Sequence, residues 1–176
     1  GKDVDIIISD HHHIDPTNTP SNAYAFINPQ RPDDTYPDKT ICGCTVALLL
    51  FSGVRAELIK KGYLNKDARR MKDLLAYSTS ATIADCVSMA STVNRSIVKE
   101  GLKEINNKSL PSWEALDTIV QDGELVSAET LAFGLAPKIN ACSRTGGDGL
   151  VAVKYYLADT KAEAERFLSM LSFVNK

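Results

Sequence analysis

The three histidines of the chain, His11, His12 and His13, are consecutive, and Asp10 comes directly before them. Imidazole nitrogens and carboxylate oxygens are ligands that suit Mn²⁺, Mg²⁺ or Zn²⁺. Adjacent residues at the end of a strand point in different directions, so one histidine could bind a metal ion while the next reaches a substrate. The cluster therefore predicts a metal-dependent site, and the alternative is a solvated loop that is rich in histidine.

Two or three ligands do not complete a metal site, so a further ligand is expected elsewhere in the chain. Asp85 is the best candidate, because its neighbours within Ile83–Val87 are apolar and a buried carboxylate is rare unless it is paired or metal-bound. The alternative is an aspartate that caps the N-terminus of a helix. If the metal interpretation holds, Asp10, His11 and Asp85 converge within the radius of one metal site.

A second cluster of polar side chains lies in residues 134–147, where glycines and a proline predict a turn. Its members are Lys138, Asn140, Ser143 and Arg144. Cationic and amide side chains close to backbone N–H groups suit a phosphodiester. The alternative is a solvated glycine-rich loop. Arg31, in a proline-rich loop, is a weaker candidate for the same role.

The first cluster needs a strand to position it. Val4–Ser9 is a short, almost continuous apolar run, which is typical of a strand buried on both faces of a parallel sheet. Asp10–His13 would then lie at the carboxyl end of this strand, the edge at which open α/β sheets bind ligands. The candidate for a neighbouring strand is Ala23–Ile27, within the long loop-like segment Asp15–Thr40.

The rest of the chain is predicted to be mainly helical. Ser112, Ser127 and Thr160 are expected N-caps, Gly62 is expected to end the helix that starts near Thr45, and Gly134 to end the helix that starts at Ser127. A further helix is expected from Asn65 or Asp67 towards Ala84, and another over residues 94–105. The predicted fold class is α/β, with a helix-rich body and a parallel-sheet strand at its N-terminus. Because that strand needs partners, we expect that upstream βα units are missing.

The composition bounds the classes of function. A length of 176 residues fits one ordinary domain, and a formal net charge of −2 provides no global basic field for nucleic acid, although a local basic groove is compatible with it. No apolar run approaches the roughly 20 residues of a membrane helix. Four cysteines without a C-x-x-C pair indicate free thiols in a reducing compartment. We therefore expect a cytoplasmic protein that does not engage a membrane.

Several segments, taken in order, resemble the DHH phosphoesterases and, within them, the RecJ-type exonucleases specific for single-stranded DNA. Ile7–His12 is similar to the namesake Asp-His-His motif, and Ala25–Asp33 resembles the loop that follows it in the RecJ type. Thr82–Val87 resembles the later aspartate motif of the family, and Pro137–Arg144 resembles its P-R-I-N-A-A-G-R stretch. The resemblance runs in order from about residue 4 to residue 160.

The resemblance implies a two-metal nuclease that uses Mn²⁺ or Mg²⁺ to remove nucleotides from the 5′ end of single-stranded DNA, as in DNA repair and recombination. By motif position, His11 and Asp85 would be metal ligands, and Asp10 would orient the imidazole or bind the metal directly. His12 would contact the scissile phosphate. The residues that would hold the DNA are His12, Arg31, Lys138, Asn140 and Arg144.

The resemblance also implies that residues 1–176 are an incomplete DHH domain, with the sheet edge in 1–45 and a helical body in 46–176. The family's upstream D-x-D motif and its C-terminal DHH-associated domain are expected to be absent. The chain alone would then bind at most one ion, weakly, and would lack significant nuclease activity. An exposed strand edge would also invite pairing with a second copy.

Two alternatives stay open. A DHH-family phosphatase or oligonucleotidase acting on short nucleotides would use the same metal chemistry, although the Arg31 loop and Pro137–Arg144 favour the RecJ type. A catalytically dead relative that serves as a protein-binding scaffold belongs to another class. The intact Asp10 to His12 motif argues against it, whereas departures from the family pattern near Asp85, such as Ser88-Met89 in place of Pro-Leu, keep it open.

Overall fold

The computed structural model describes residues 4–17, 19–121, 123–144 and 149–174, with the side chains of residues 143, 144, 173 and 174 left undescribed. The chain forms two compact units, residues 1–97 and 98–176. Within the described ranges, helices predominate and a small parallel sheet lies near the N-terminus. The predicted α/β, helix-rich class is confirmed.

The sheet of the first unit pairs β1 (Ile7–Ser9) with β2 (Ala25–Ile27) in parallel. The predicted strand and its predicted neighbour are both confirmed. The predicted burial of the strand is wrong, because Ile6 and Ile7 are 56% and 54% exposed. In the described residues α1 (Gly43–Lys60) is the one helix that packs closely on β1, so the sheet lacks the two covering layers that bury a parallel strand.

Helix α1 packs against α2 (Leu75–Ala84), which follows a 3₁₀ turn at Met71–Leu74. The expected helix start at Asn65 or Asp67 is wrong. The Asn65 side chain instead accepts the N–H of Asp67 at 3.2 Å, closing a local turn that competes with helix formation. Gly62 follows the end of α1 with a φ of +76°, as the helix-end prediction requires.

The interface between α1 and α2 is partly polar. The hydroxyl oxygens of Thr45 and Ser78 lie 2.7 Å apart, and the Sγ of Cys42 lies 3.3 Å from Thr45 Oγ1 and 3.4 Å from Thr82 Oγ1. All four side chains are buried. Hydrogen bonds are directional, so this group fixes how the two helices are aligned, which apolar contact alone does not.

The second unit is entirely helical in its described part. After α3 (Thr92–Asn106), its elements are α4 (Pro111–Glu114), a 3₁₀ helix (Ala115–Thr118), a π-helix (Thr130–Leu135), α5 (Ala136–Arg144), α6 (Leu150–Tyr156) and α7 (Lys161–Val174). Helix α7 packs against α4, α5 and α6 around the buried Trp113, Tyr155 and Leu171. The Tyr155 hydroxyl donates to the Ser112 carbonyl at 2.6 Å. None of the described helices has the length and apolar character needed to cross a bilayer.

Two of the expected helix caps are confirmed. The Thr130 N–H donates to Ser127 Oγ at 3.1 Å, and the Glu163 N–H donates to Thr160 Oγ1 at 3.2 Å. The expected cap at Ser112 is wrong, because Pro111 already occupies the first turn of α4 and leaves Ser112 buried inside it.

The predicted turn is also wrong for residues 134–144, where the π-helix runs directly into α5, and residues 145–147 of that prediction lie outside the described residues. Gly134 does not end a helix: a Cβ on it would lie 3.0 Å from Ile119 Cδ1, so close packing requires the glycine there. The widened π turn also tolerates Pro137, which has no N–H to donate to a carbonyl four residues earlier. Lys138 and Asn140 are therefore helical residues.

We predict that Thr45→Val lowers the free energy of unfolding by about 1–3 kcal/mol, because it leaves the buried Ser78 hydroxyl without its partner. The Thr45→Val, Ser78→Ala double variant should lose less than the sum of the single losses. Urea denaturation measures each value. Ser52→Ala in the same helix, which removes a half-buried hydroxyl bonded to the Leu48 carbonyl, is the control. Additive losses would show that the two hydroxyls do not act together.

Candidate metal centre

The first cluster begins where β1 ends. The Asp10 N–H still donates to the Ile27 carbonyl at 2.9 Å, as a continuation of the strand pairing. Asp10 Oδ1 then accepts the N–H of His11 at 2.7 Å and of His12 at 3.3 Å, which turns the chain out of the strand. The same oxygen lies 2.7 Å from Nδ1 of the His12 ring. The imidazole that Asp10 orients is therefore that of His12.

The contact between Asp10 and His12 shifts the pKa of both groups. Partial burial alone would raise the pKa of Asp10, but hydrogen bonds from the His12 ring and from the His11 and His12 N–H groups outweigh burial and lower this pKa. The hydrogen bond to Asp10 raises the pKa of His12. Because Nδ1 faces a carboxylate, the ring presents Nε2 to any further partner.

His11 meets Asp85, a residue far away in the sequence. Its Nε2 lies 3.2 Å from Asp85 Oδ2. The imidazole also packs closely on Gly43, where a Cβ would come to 3.2 Å from His11 Cδ2. The ring of His11 is thus held between the start of α1 and the end of α2, and its side chain is only 19% exposed.

Asp85 follows the last residue of α2, and Cys86 then reverses the chain with a φ of +53°. The N-cap alternative is wrong, because Asp85 lies at the carboxyl end of its helix. The expected burial is also wrong, since the side chain is 47% exposed. A carboxylate at this end interacts unfavourably with the helix dipole, and a cation or a donor such as His11 offsets that interaction.

These distances fit a divalent cation. Ligands about 2.1 Å from one ion and at right angles to each other lie about 3 Å apart, close to the separation of the His11 and Asp85 atoms. Ligand atoms of Asp10, His11 and His12 lie within 4.8 Å of one another, a group that does not include Asp85, so the convergence of Asp10 with Asp85 stays a prediction. Burial, followed by the nearby Cys42 and Asp85, raises the pKa of the Cys44 thiol to about 11. The available donors are therefore imidazole nitrogen and carboxylate oxygen, a set that suits Mn²⁺.

Two positioning residues were missed by the sequence reasoning. Asn28 is buried, donates to the His12 carbonyl at 2.9 Å and accepts the Gln30 N–H at 2.8 Å, so it fixes the backbone behind the cluster. Gly43 provides the close approach for His11. Asparagine before proline signals a turn, and a glycine at a helix start signals an N-terminus, but neither pattern reveals a distant partner.

The residues that were predicted to contact DNA differ from one another in their surroundings. Arg31 is engaged within its own loop: Nε and one terminal nitrogen bond to Asp33 at 2.9 and 2.5 Å, and the other donates to the Phe26 carbonyl at 2.6 Å. Lys138 and Asn140 lie on α5 in the second unit, and both are half-buried. Arg144 is the last residue of α5, and its side chain lies outside the described part. The placement of these residues beside His12 stays a prediction.

Comparison with known proteins supports the motif-based resemblance. No family model matches the chain. The RecJ exonuclease specific for single-stranded DNA from Salmonella typhimurium is 33% identical over 98% of this chain, which spans 30% of that protein. The corresponding protein of Thermus thermophilus is 32% identical over 98% of the chain, which spans 23% of it.

Solved structures agree with the sequence comparison. The crystal structure of a manganese-bound RecJ exonuclease matches 98% of this chain with a TM-score of 0.75 and 28% identity, and the match covers 40% of that structure. The Mn²⁺ complex of RecJ from Thermus thermophilus matches with a TM-score of 0.72 and 29% identity, over 98% of this chain and 24% of that one.

A helix-rich α/β segment in which an Asp-His-His strand end meets a later aspartate agrees with the resemblance to the DHH phosphoesterases that the motifs indicate. More particularly, the chain is similar to the RecJ exonucleases in sequence and in fold along nearly its whole length. It spans less than a third of the length of the curated relatives given above.

We predict that Gly43→Ala displaces the His11 ring, because the new Cβ would press on Cδ2 at 3.2 Å. The His11 ring signals in an NMR spectrum should shift, while the global fold persists. Gly53→Ala is the matched control in the same helix, since a Cβ there meets no atom within 4 Å. Equal His11 shifts in both variants would show that Gly43 does not position the ring.

Proposed function

We propose that this chain supplies the Asp-His-His part of the catalytic site of a metal-dependent exonuclease that hydrolyses phosphodiester bonds of single-stranded DNA. The observation that carries the proposal is the 3.2 Å contact between His11 Nε2 and Asp85 Oδ2. Two residues from separate motifs meet there with the spacing of two ligands of one cation. The names of the relatives, which are single-stranded-DNA-specific exonucleases, support the same activity.

In this proposal His11 and Asp85 hold Mn²⁺ or Mg²⁺, and Asp10, whose ligand atom lies within 4.8 Å of that of His11, acts mainly by orienting an imidazole, with direct binding of the ion as the alternative. A bound ion of this kind activates water, positions the phosphate and stabilises the leaving oxygen. Gly43 limits the room available to the imidazole, so His11 keeps one orientation towards the ion. The half-exposed Asp85 carboxylate remains reachable from solvent.

His12 has a different proposed role. Its Nδ1 is occupied by Asp10, and its side chain is 76% exposed, so Nε2 is free to meet a phosphate oxygen of the substrate. Because Asp10 also accepts two backbone N–H groups, the orientation of the His12 ring follows from the turn itself. Asp10 is thus a positioning residue for the group that contacts the scissile phosphate.

Arg31, Lys138, Asn140 and Arg144 are proposed to hold the DNA backbone. Lys138 is the cation on α5 whose side chain the structure describes, and it is half-buried. Arg31 would need to exchange its Asp33 contact for a phosphate, which makes it the weakest of the four. These assignments rest on motif position and on the affinity of cations for phosphate.

Cytoplasmic location and self-association complete the proposal. All four cysteines are free, which suits a reducing compartment. Strand β1 pairs with β2 alone in the part of the chain that the structure describes, and an unpaired strand edge of this kind favours pairing with a second copy.

We predict that the chain binds one Mn²⁺ ion weakly. His11→Ala and Asp85→Asn should each weaken the binding at least about tenfold, because each variant removes one of the ligands of the ion. Isothermal titration calorimetry or the loss of the free Mn²⁺ electron-paramagnetic-resonance signal measures the affinity. Asp67→Asn removes an exposed carboxylate of the same unit and is the control. Undiminished binding by Asp85→Asn contradicts the metal site.

Digestion of labelled single-stranded DNA tests the activity itself. With millimolar Mn²⁺, we expect little digestion by the 176-residue chain alone, because its described ligands are too few for two ions. In a longer protein that carries this chain, digestion should require both His11 and Asp85. Robust digestion that persists in His11→Ala would contradict the proposed site, and hydrolysis of dinucleotides alone would favour the oligonucleotidase.

The salt dependence of single-stranded DNA binding tests the role of Lys138. Lys138→Met should make the negative slope of log affinity against log salt shallower by about 0.7, because one phosphate contact no longer releases a counterion. Fluorescence anisotropy of a labelled oligonucleotide at several salt concentrations measures the slope. Lys154→Met, at an exposed lysine of α6 in the same unit, is the control. An unchanged slope would show that Lys138 contacts no phosphate and belongs to a solvated surface.

A further inference from the structure

Asn94, in the first turn of α3, is completely buried, although asparagine side chains mostly lie at the surface of proteins. Its Nδ2 donates to the Thr40 carbonyl at 3.1 Å and to the Ser88 carbonyl at 3.0 Å, and it lies 3.4 Å from Thr40 Oγ1. Thr40 precedes α1, and Ser88 follows the end of α2. One buried amide therefore joins two segments that are far apart in the sequence.

Each of the two segments leads to the ring of His11. Two buried residues join Thr40 to Gly43, on which the ring packs closely. Two residues join Ser88 to Asp85, whose carboxylate lies 3.2 Å from His11 Nε2. Three planar peptide units of fixed length on each side leave little freedom for independent movement. The spacing of the two carbonyls that Asn94 bonds therefore influences where Gly43 and Asp85 meet the ring.

A second connection joins the same two segments. The Ser91 hydroxyl donates to the Asp38 carboxylate, which also accepts the N–H and the hydroxyl of Thr40 at 2.8 and 2.6 Å. Ser91 Oγ in turn accepts the Asn94 N–H at 3.0 Å. Both connections thus belong to one network of hydrogen bonds around Asn94. Because hydrogen bonds are directional, such a network fixes the spacing of the segments more closely than apolar contact would.

The oxygen of the Asn94 amide takes no part in this network. Oδ1 is buried and has no hydrogen-bond partner among the residues that the structure describes. The amide therefore acts on the two segments through its Nδ2 donor. Aspartate has nearly the same shape as asparagine but carries no N–H when ionised, so Asn94→Asp removes this donor and little else.

We propose that Asn94 is a positioning residue of the metal centre. Its two hydrogen bonds set the spacing between residues 40–43 and residues 85–88, and through them the position of the His11 ring. The inference rests on the proposed function, because a metal ion gives the position of His11 its consequence. It adds a residue that touches neither the ion nor the substrate, and that acts through Gly43 and Asp85.

The test compares Asn94→Asp with Asn106→Asp in the 176-residue chain. Asn106 lies on the same helix but in the second unit, and its Nδ2 donates to the Leu102 and Val126 carbonyls, each at 2.9 Å. The two variants therefore make the same chemical change at amides that each bond two carbonyls. Both should lower the free energy of unfolding in urea, so a loss of stability alone does not distinguish them.

The first readout needs no metal ion. In the presence of EDTA, the nuclear Overhauser effect between the His11 ring protons and the Gly43 α protons reports how closely the ring packs on the glycine. We expect Asn94→Asp to weaken or abolish this signal, because the segment that carries Gly43 is no longer tied to the segment that carries Asp85. Asn106→Asp should leave the signal at its parental intensity.

The second readout is the affinity for Mn²⁺, measured by the loss of the electron-paramagnetic-resonance signal of the free ion. Asn94→Asp should weaken Mn²⁺ binding about tenfold, the lower end of the range for groups that orient metal ligands. Asn106→Asp should bind Mn²⁺ as the parent does.

Parental values of both readouts in Asn94→Asp overturn the inference. Equal changes in Asn94→Asp and Asn106→Asp also overturn it, because they would mark a general effect of lost stability. If Asn94→Asp fails to fold, Ser91→Ala replaces it, since this variant removes the bond to Asp38 and leaves the Nδ2 donor in place. It should weaken the signal between His11 and Gly43, and a parental signal in Ser91→Ala would then overturn the inference.

The two readouts also separate this inference from the proposed function. If the parent binds no Mn²⁺ but Asn94→Asp alone loses the signal between His11 and Gly43, the metal centre is contradicted and Asn94 still positions the ring. If the parent binds Mn²⁺ and Asn94→Asp changes neither readout, the metal centre stands and the role of Asn94 is overturned.

Discussion

The geometry of the site depends on the position of the His11 ring, which contacts Asp85 and packs closely on Gly43. The end of β1, the start of α1 and the end of α2 must all be in register for these contacts to form. The buried polar group formed by Cys42, Thr45, Ser78 and Thr82 links the first turn of α1, which holds Gly43, to the helix that ends before Asp85. The directional bonds of this polar group set the register of the two helices on which the position of the ring depends.

The same contact explains why an unfavourable charge persists at the end of α2. A carboxylate at a helix C-terminus is destabilising by a few tenths of a kcal/mol to about 1 kcal/mol, and the half-exposed Asp85 has His11 as a donor that offsets this cost. Asp10, in contrast, sits in a turn whose N–H groups stabilise its charge. The two carboxylates therefore have different physical roles: Asp10 is satisfied by the protein, and Asp85 is left to respond to a cation. Such division of roles is expected where a site is organised before its ligand binds.

The sequence predicted those features that depend on local pattern or on ordered motifs. The β1 strand, its partner and the convergence of His11 with Asp85 are all found in the structure. The sequence could not predict the role of Asn28 or the fit of His11 against Gly43, because each depends on a partner far away in the chain. The exposure of β1 was missed for a related reason: an apolar run indicates a strand, but its burial depends on which layers cover it.

The segment before Arg144 was predicted to be a turn, and the structure shows a helix there. Glycine and proline were interpreted as turn formers, yet Gly134 is there because Ile119 packs against it, and Pro137 is accommodated by the π turn. The consequence reaches the function, because Lys138 and Asn140 are two positions apart on a helix and project in divergent directions. In a tight turn both could have gripped one phosphate. On α5 they can contact at most neighbouring phosphates or separate parts of a nucleotide, so any hold on DNA there is a set of separate contacts and not one anion pocket.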